Sequence, residues 1–147
     1  MSRRTNSAGR GHAVVEVALM APWIFLLFMG VFDFGFYAYG MVSVTNAARV
    51  AALYTSADAG TVNQPGTACL YVLEELRMLP NVGSSLSCSC SGTSCTAGPI
   101  TVQTLGITGP DGESAAQVSV TYSSPQLFPI PGLTGLMRIT RIAKMKV

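Results

Sequence analysis

The chain has 147 residues, 49 % of them apolar and only 11 % charged, with nine Lys and Arg against seven Asp and Glu and a formal charge of +2. That composition fits a membrane protein better than a soluble one. Arg3, Arg4 and Arg10 all precede the first apolar run, and without them six basic residues face seven acidic ones, so the basic character belongs to the N-terminal tail rather than to a broad cationic surface.

Residues 1–11 (MSRRTNSAGRG) are short, polar and basic and cannot build a core. From about His12 a helix begins. Between Gly11 and Arg49 only Glu16 and Asp33 are charged, and residues 17–32 form an uninterrupted apolar run. A bilayer core of roughly 30 Å needs about 20 helical residues, and residues 15–36 supply that length with Glu16 and Asp33 near its edges. The three arginines place the preceding tail on the cytoplasmic side and the C-terminal domain outside the cytoplasm. The length of the apolar run, which continues through Phe34, Phe36, Tyr37 and Tyr39, argues against the alternative of a cleaved secretory signal. Pro22 removes one backbone bond within the helix and predicts a kink or local opening.

Helical character extends past the membrane, because Val44, Ala47, Ala48, Ala51 and Ala52 recur at spacings of three and four. The helix is therefore expected to run to about residue 55, its outer part acting as the spine of an exported head. Turn residues at 58–60 and 63–66 end it. Thr67 reads as the N-cap of a short amphipathic helix reaching about Leu79, with Cys69, Val72, Leu73, Leu76 and Leu79 on one face, stopped by Pro80. Residues 81–99 are rich in Ser, Gly and Thr, and disulfides are their expected source of order.

Alternation at Ile100, Val102 and Thr104 and again at Val118, Val120 and Tyr122, separated by a turn at 109–112, predicts an antiparallel hairpin. Residues 124–136 carry Pro125, Pro129 and Pro131 among apolar residues and read as a loop that packs on the spine or sheet, or touches the membrane surface or a partner. The run 138–147 alternates as an edge strand, with Ala143, Met145 and Val147 on one side and Lys144 and Lys146 on the other. Its basic residues lack the aromatic platform of a nucleic-acid surface, so no nucleic acid is expected as a partner.

The four cysteines, Cys69, Cys88, Cys90 and Cys95, all lie in the exported part, where disulfides persist. Of the three pairings, the one joining Cys88 to Cys90 is the least favourable because a single residue intervenes; the other two remain open. The sole histidine, His12, lies at the membrane edge, which removes His-dependent triads and most zinc sites from the head. Glu74 and Glu75 are adjacent and diverge on a helix. Glycines 106, 109 and 112 read as turn residues between strands rather than a phosphate loop. No metal, no cofactor and no catalysis are expected.

Gly11 followed five residues later by Glu16, at the mouth of an apolar helix and behind a short basic leader, resembles the processing site of type IV pilin-like proteins. The longer text narrows this. Residues 11–52, with the acidic residue, the apolar run and internal proline, the Asp33-Phe34-Gly35 element and Asn46-Ala47-Ala48-Arg49, resemble the N-terminal signature of TadE-like pseudopilins of tight-adherence (Tad, type IVc) systems. Residues 116–147 are loosely similar to that family's closing strand, Pro-containing loop and basic last strand. Val17 departs from the pattern, standing where such sites often carry an aromatic residue.

The resemblance implies a type IV pilin-like α+β fold: a leader at 1–11, a transmembrane and spine helix at 12–55, and a disulfide-containing head at 56–147 with a small antiparallel sheet and one short helix. It also implies cleavage after Gly11 by a prepilin peptidase, residence in the bacterial inner membrane with the head in the periplasm, and incorporation into a pilus. Other pilin or pseudopilin subunits, the assembly platform and membrane lipid are the implied partners. Cleavage frees an amine on His12, which Glu16 of the same or a neighbouring subunit can neutralise; the bland alternative is that Glu16 favours the positive helix N-terminus. Asp33 reads either as an interface residue that reaches water or as a partner for Arg49 of a staggered neighbour. With Pro22, these residues form the expected assembly interface. The expected function is that of a minor pseudopilin; the alternatives are a major filament subunit, which the 98 residues beyond Arg49 argue against, and a single-pass anchored periplasmic binding module.

Overall fold

The computed structural model describes residues 8–58, 60–125 and 137–147, with side chains from His12 onward. Helix α1 spans Ala8–Thr55 and helix α2 Pro65–Leu76. Strands β1 (Ser89–Ser91), β2 (Ser94–Ala97), β3 (Ile100–Thr108), β4 (Ser114–Ser124) and β5 (Met137–Lys146) follow. They form one sheet in the order β1-β2-β3-β4-β5, every neighbouring pair antiparallel, so the sheet is a meander. With the two helices this makes an α+β chain. It divides into two compact units, one ending at Gly35 and the other beginning at Phe36.

The first unit is a helix and nothing else in its described part. From residue 14 to 28 every Val, Leu, Ile, Met, Phe and Trp is exposed, up to 75 % at Trp23. A helix that is apolar all round matches a lipid solvent rather than water, and α1 is long and apolar enough to cross a membrane. It continues as helix through Pro22.

In the second unit, α1 turns one face to a core. Val44, Ala47, Ala48, Ala51 and Ala52 are all buried, joined by Thr55, whose hydroxyl donates to the Ala51 and Ala52 carbonyls at 3.0 and 3.1 Å. Both helices share this core with the sheet. Side chains alternate along β3 and β4, so that Ile100, Val102 and Thr104, and Val118, Val120 and Tyr122, point inward. The register pairs Ile100 with Tyr122 and Tyr122 with Ile139, and likewise Val102 with Val120. The β3–β4 turn is closed by bonds from Gly109 N–H to the Glu113 carbonyl (2.7 Å) and Gly112 N–H to the Gly109 carbonyl (3.0 Å), with Gly112 at φ 81°, a backbone that glycine adopts without a Cβ clash.

Three expectations need correction or completion. Helix α2 begins at Pro65, not Thr67, because proline at the first helical position has its φ already set and needs no N–H partner. It ends at Leu76, and the chain reaches Leu79 through a turn in which the Leu79 N–H bonds the Leu76 carbonyl at 2.9 Å; Leu79 is nonetheless buried. Residues 81–99 hold the β1–β2 hairpin, which sequence composition did not announce. Strand β5 is one edge of the sheet, with Ala143 and Met145 packed against the core and Lys144 and Lys146 exposed. The proline-containing loop expectation falls, for 126–136, outside the described residues, as does most of the leader.

Candidate functional site

The expected site residues are distributed over both units. His12 and Glu16 are exposed on α1 and, four residues apart, share a helix face. Gly11 is itself within the helix, so the bond that follows it sits in the first turns of α1. Glu16 opens a shallow strip lined by Val17, Met20, Ile24, Phe25 and Phe28, and the Phe28 and Phe32 rings stack with centroids 6.2 Å apart. Pro22 is exposed and Asp33 half-buried.

Arg49 belongs to the head unit and is exposed on the side of α1 away from the core. The ion pairs among the described residues lie elsewhere: Arg77 with Glu74 at 2.9 Å, and Lys146 with Asp111 and Glu113 at 3.4 and 3.2 Å. Glu16, Asp33 and Arg49 are in none of them.

The cysteine pairing left open by sequence is settled by the fold. Cys69 on α2 bonds Cys88, their Cα atoms 6.2 Å apart, and Cys90 bonds Cys95 across the β1–β2 hairpin at a Cα separation of 4.0 Å. Cys90 and Cys95 are direct cross-strand partners, and the first bridge ties the approach to that hairpin onto α2. Cys69 and Cys95 are fully buried. No cysteine is free, and the described residues hold no cluster of metal-ligating side chains.

One feature was missed from sequence. Val50, Leu53, Tyr54 and Ala57 at the end of α1 and Tyr71 of α2 line an open apolar groove, with the Tyr54 and Tyr71 rings 4.4 Å apart. The Tyr54 hydroxyl beside it, with some loss of solvent, raises the Tyr71 phenol above its ordinary value. Val50, Leu53 and Tyr54 fall off the 44-47-48-51-52 face, which signals exposed apolar residues on α1 but not the Tyr71 side of the groove, which comes from α2.

Among curated proteins and among solved structures, none matches the chain. Residues 11–53, which cover the span and nearly all of the spine, match the family model described as TadE-like protein, and over that helix the chain is similar to TadE-like proteins.

Proposed function

We propose that this chain is a minor pseudopilin of a bacterial Tad pilus, a non-enzymatic subunit cut after Gly11 by a prepilin peptidase and assembled through its N-terminal helix. The observation that carries the reading is the coincidence of the TadE-like match at 11–53 with a helix whose apolar side chains all face outward from residue 14 to 28. Before assembly, lipid is their solvent. In assembly, the same surface meets the helices of other subunits, with van der Waals packing rather than water exclusion as the driving term.

The processing step has a local physical logic. Glycine is the weakest helix former after proline, so the turn at Gly11 opens for a protease at less cost than its neighbours do. Cleavage frees the His12 amine one helical turn before Glu16. A carboxylate facing lipid is costly unless paired, and that amine, on the same or the adjacent subunit, is its neutralising partner. Asp33 and Arg49 offer a second pairing between staggered copies. The leader faces the cytoplasm and the head the periplasm, where its two disulfides persist.

Intact-mass measurement of the chain from peptidase-competent cells tests the reading: loss of residues 1–11 is expected, and their retention overturns it. Gly11→Val is expected to block cleavage, whereas Glu16→Ala is expected to be cut normally and to fail in pilus production. The exposed groove at Tyr54 and Tyr71 favours one competing reading, an anchored periplasmic binding module. An uncleaved monomer that never co-purifies with pilus components would support it.

A further inference from the structure

Exposed apolar side chains are scattered over the head unit, Leu70, Met78 and Leu105 among them, so exposure alone singles out no surface. The groove between α1 and α2 differs in combining a concave shape, two rings and a charge. Val50, Leu53, Tyr54 and Ala57 face Tyr71 across it, and the two rings stand 4.4 Å apart at an interplanar angle of 41°. Glu74 and Glu75 lie three and four residues beyond Tyr71 and so share its side of α2. Glu74 is engaged by Arg77 at 2.9 Å, whereas Glu75 is exposed and in no ion pair among the described residues. Arg49 adjoins Val50 on α1, so the anionic part of the rim is its α2 side. Aromatic rings beside a carboxylate suit a cation carried on an apolar stem.

The cations of the head are concentrated elsewhere. Arg138, Arg141, Lys144 and Lys146 are all on β5, and Lys146 is taken by Asp111 and Glu113. Lys144 is exposed and in no ion pair among the described residues. Ile142, two residues before it and on the same side of the strand, is 57 % exposed. Such strand neighbours stand about 6.8 Å apart, and Tyr71 and Glu75 are about 6 Å apart along α2. Ile142 at the level of Tyr71 therefore sets Lys144 at the level of Glu75.

One copy cannot make this contact with itself. Ile142 and Lys144 alternate with the core-facing Ala143 and Met145, so they point off the sheet face opposite the core, whereas the groove belongs to the helix layer on the other side of that core. Pairing the β5 edges of two copies is disfavoured, because it sets cation against cation. We propose that the groove receives strand β5 of a second copy, with Ile142 on its apolar floor and Lys144 between the tyrosine rings and Glu75. Because the two patches lie on opposite layers, the contact is head-to-tail and does not close on a two-fold axis. It uses residues of the head unit only and stands whether or not the leader is cut.

Photo-cross-linking of the full-length chain in detergent tests the contact. Probe chains carry p-benzoylphenylalanine in place of Ile142 and acceptor chains are isotope-labelled, so mixed-isotope peptides report contacts between copies. Cross-links are expected on acceptor residues 50–57 and 71–75. Glu75→Lys in the acceptor, or Lys144→Glu in the probe chain, is expected to lower their yield about fivefold, the worth of one exposed ion pair. Both changes together are expected to restore it. Mixed-isotope cross-links that are absent, or that fall outside the groove, overturn the proposal. A yield that neither charge change alters overturns the pairing of Lys144 with Glu75.

Discussion

The two halves of α1 are both apolar helix, yet they solve opposite problems. From residue 14 to 28 the helix carries Val, Leu, Ile, Phe and Trp on every side, and all are exposed. From residue 44 to 52 the inward face is built from Val44 and four alanines, all at 1 % exposure or less. Bulk on every side suits a helix whose solvent is lipid. Alanine on one face suits a helix that a sheet must approach closely, because interiors are packed to crystal-like density and leave no room for longer side chains. Side-chain volume and its periodicity distinguish the two halves.

That contrast can be broken most severely at the head's covalent tie. Replacing Cys69 and Cys88 by Ala is expected to cost the head about 2–5 kcal/mol, read as a lowered urea midpoint of the full chain in detergent by near-ultraviolet circular dichroism. The helix signal of the first unit is expected to persist. Next in size, Ala48→Leu overpacks a site with 1 % exposure and is expected to cost about 1–3 kcal/mol. Ala18→Leu, the same change at an exposed position of the span, is expected to leave the head's midpoint unchanged. Equal effects at the two alanines would remove the distinction drawn between them.

A smaller effect is expected from Tyr122→Phe, which deletes the hydroxyl bonded to the Pro80 carbonyl at 2.7 Å and so about 0.5–1.5 kcal/mol. Burial raises this phenol above its ordinary 10.0, with a hydrogen bond to Ser124 opposing. The unfolded chain therefore releases the proton first, and Tyr122 contributes stability below about pH 10 that is lost as pH climbs through its folded value. Urea midpoints measured across that alkaline range should fall with pH in the wild type and fall less in the Phe variant. The smallest effect belongs to Lys146→Ala: its partners are Asp111 and Glu113, and its side chain is 61 % exposed, so the midpoint is expected to move by less than about 0.5 kcal/mol.

Much of the fold was legible because it rests on local periodicity. The 44-47-48-51-52 stripe, the inward residues of β3 and β4 and the glycine turn between them all follow from spacing, and each is buried or bonded as that spacing requires. The β1–β2 hairpin was not legible, since its Ser, Gly, Thr and Cys residues show no apolar alternation. It is a strand pair because β3 offers an edge, where Cys95 faces Val102, and because a disulfide joins its two strands. At the candidate site, the shared helix face of His12 and Glu16 was legible because it follows from their spacing along one helix. The Tyr54 and Tyr71 groove was not, because its two rings come from different helices.

Length, apolar periodicity and turn chemistry thus determined an outward-facing apolar helix, a small-residue spine and a hairpin-based sheet, all of which depend on neighbours a few positions apart. Tertiary structure decided what depends on distant neighbours. It set the pairing of Cys69 with Cys88 and Cys90 with Cys95, the approach of Ile139 and Tyr122 to α1 at Gly40, and the meeting of Tyr54 with Tyr71. A disulfide needs two Cα atoms within a few ångströms, and a surface needs residues gathered from separate strands; neither distance is written in the spacing of residues along the chain.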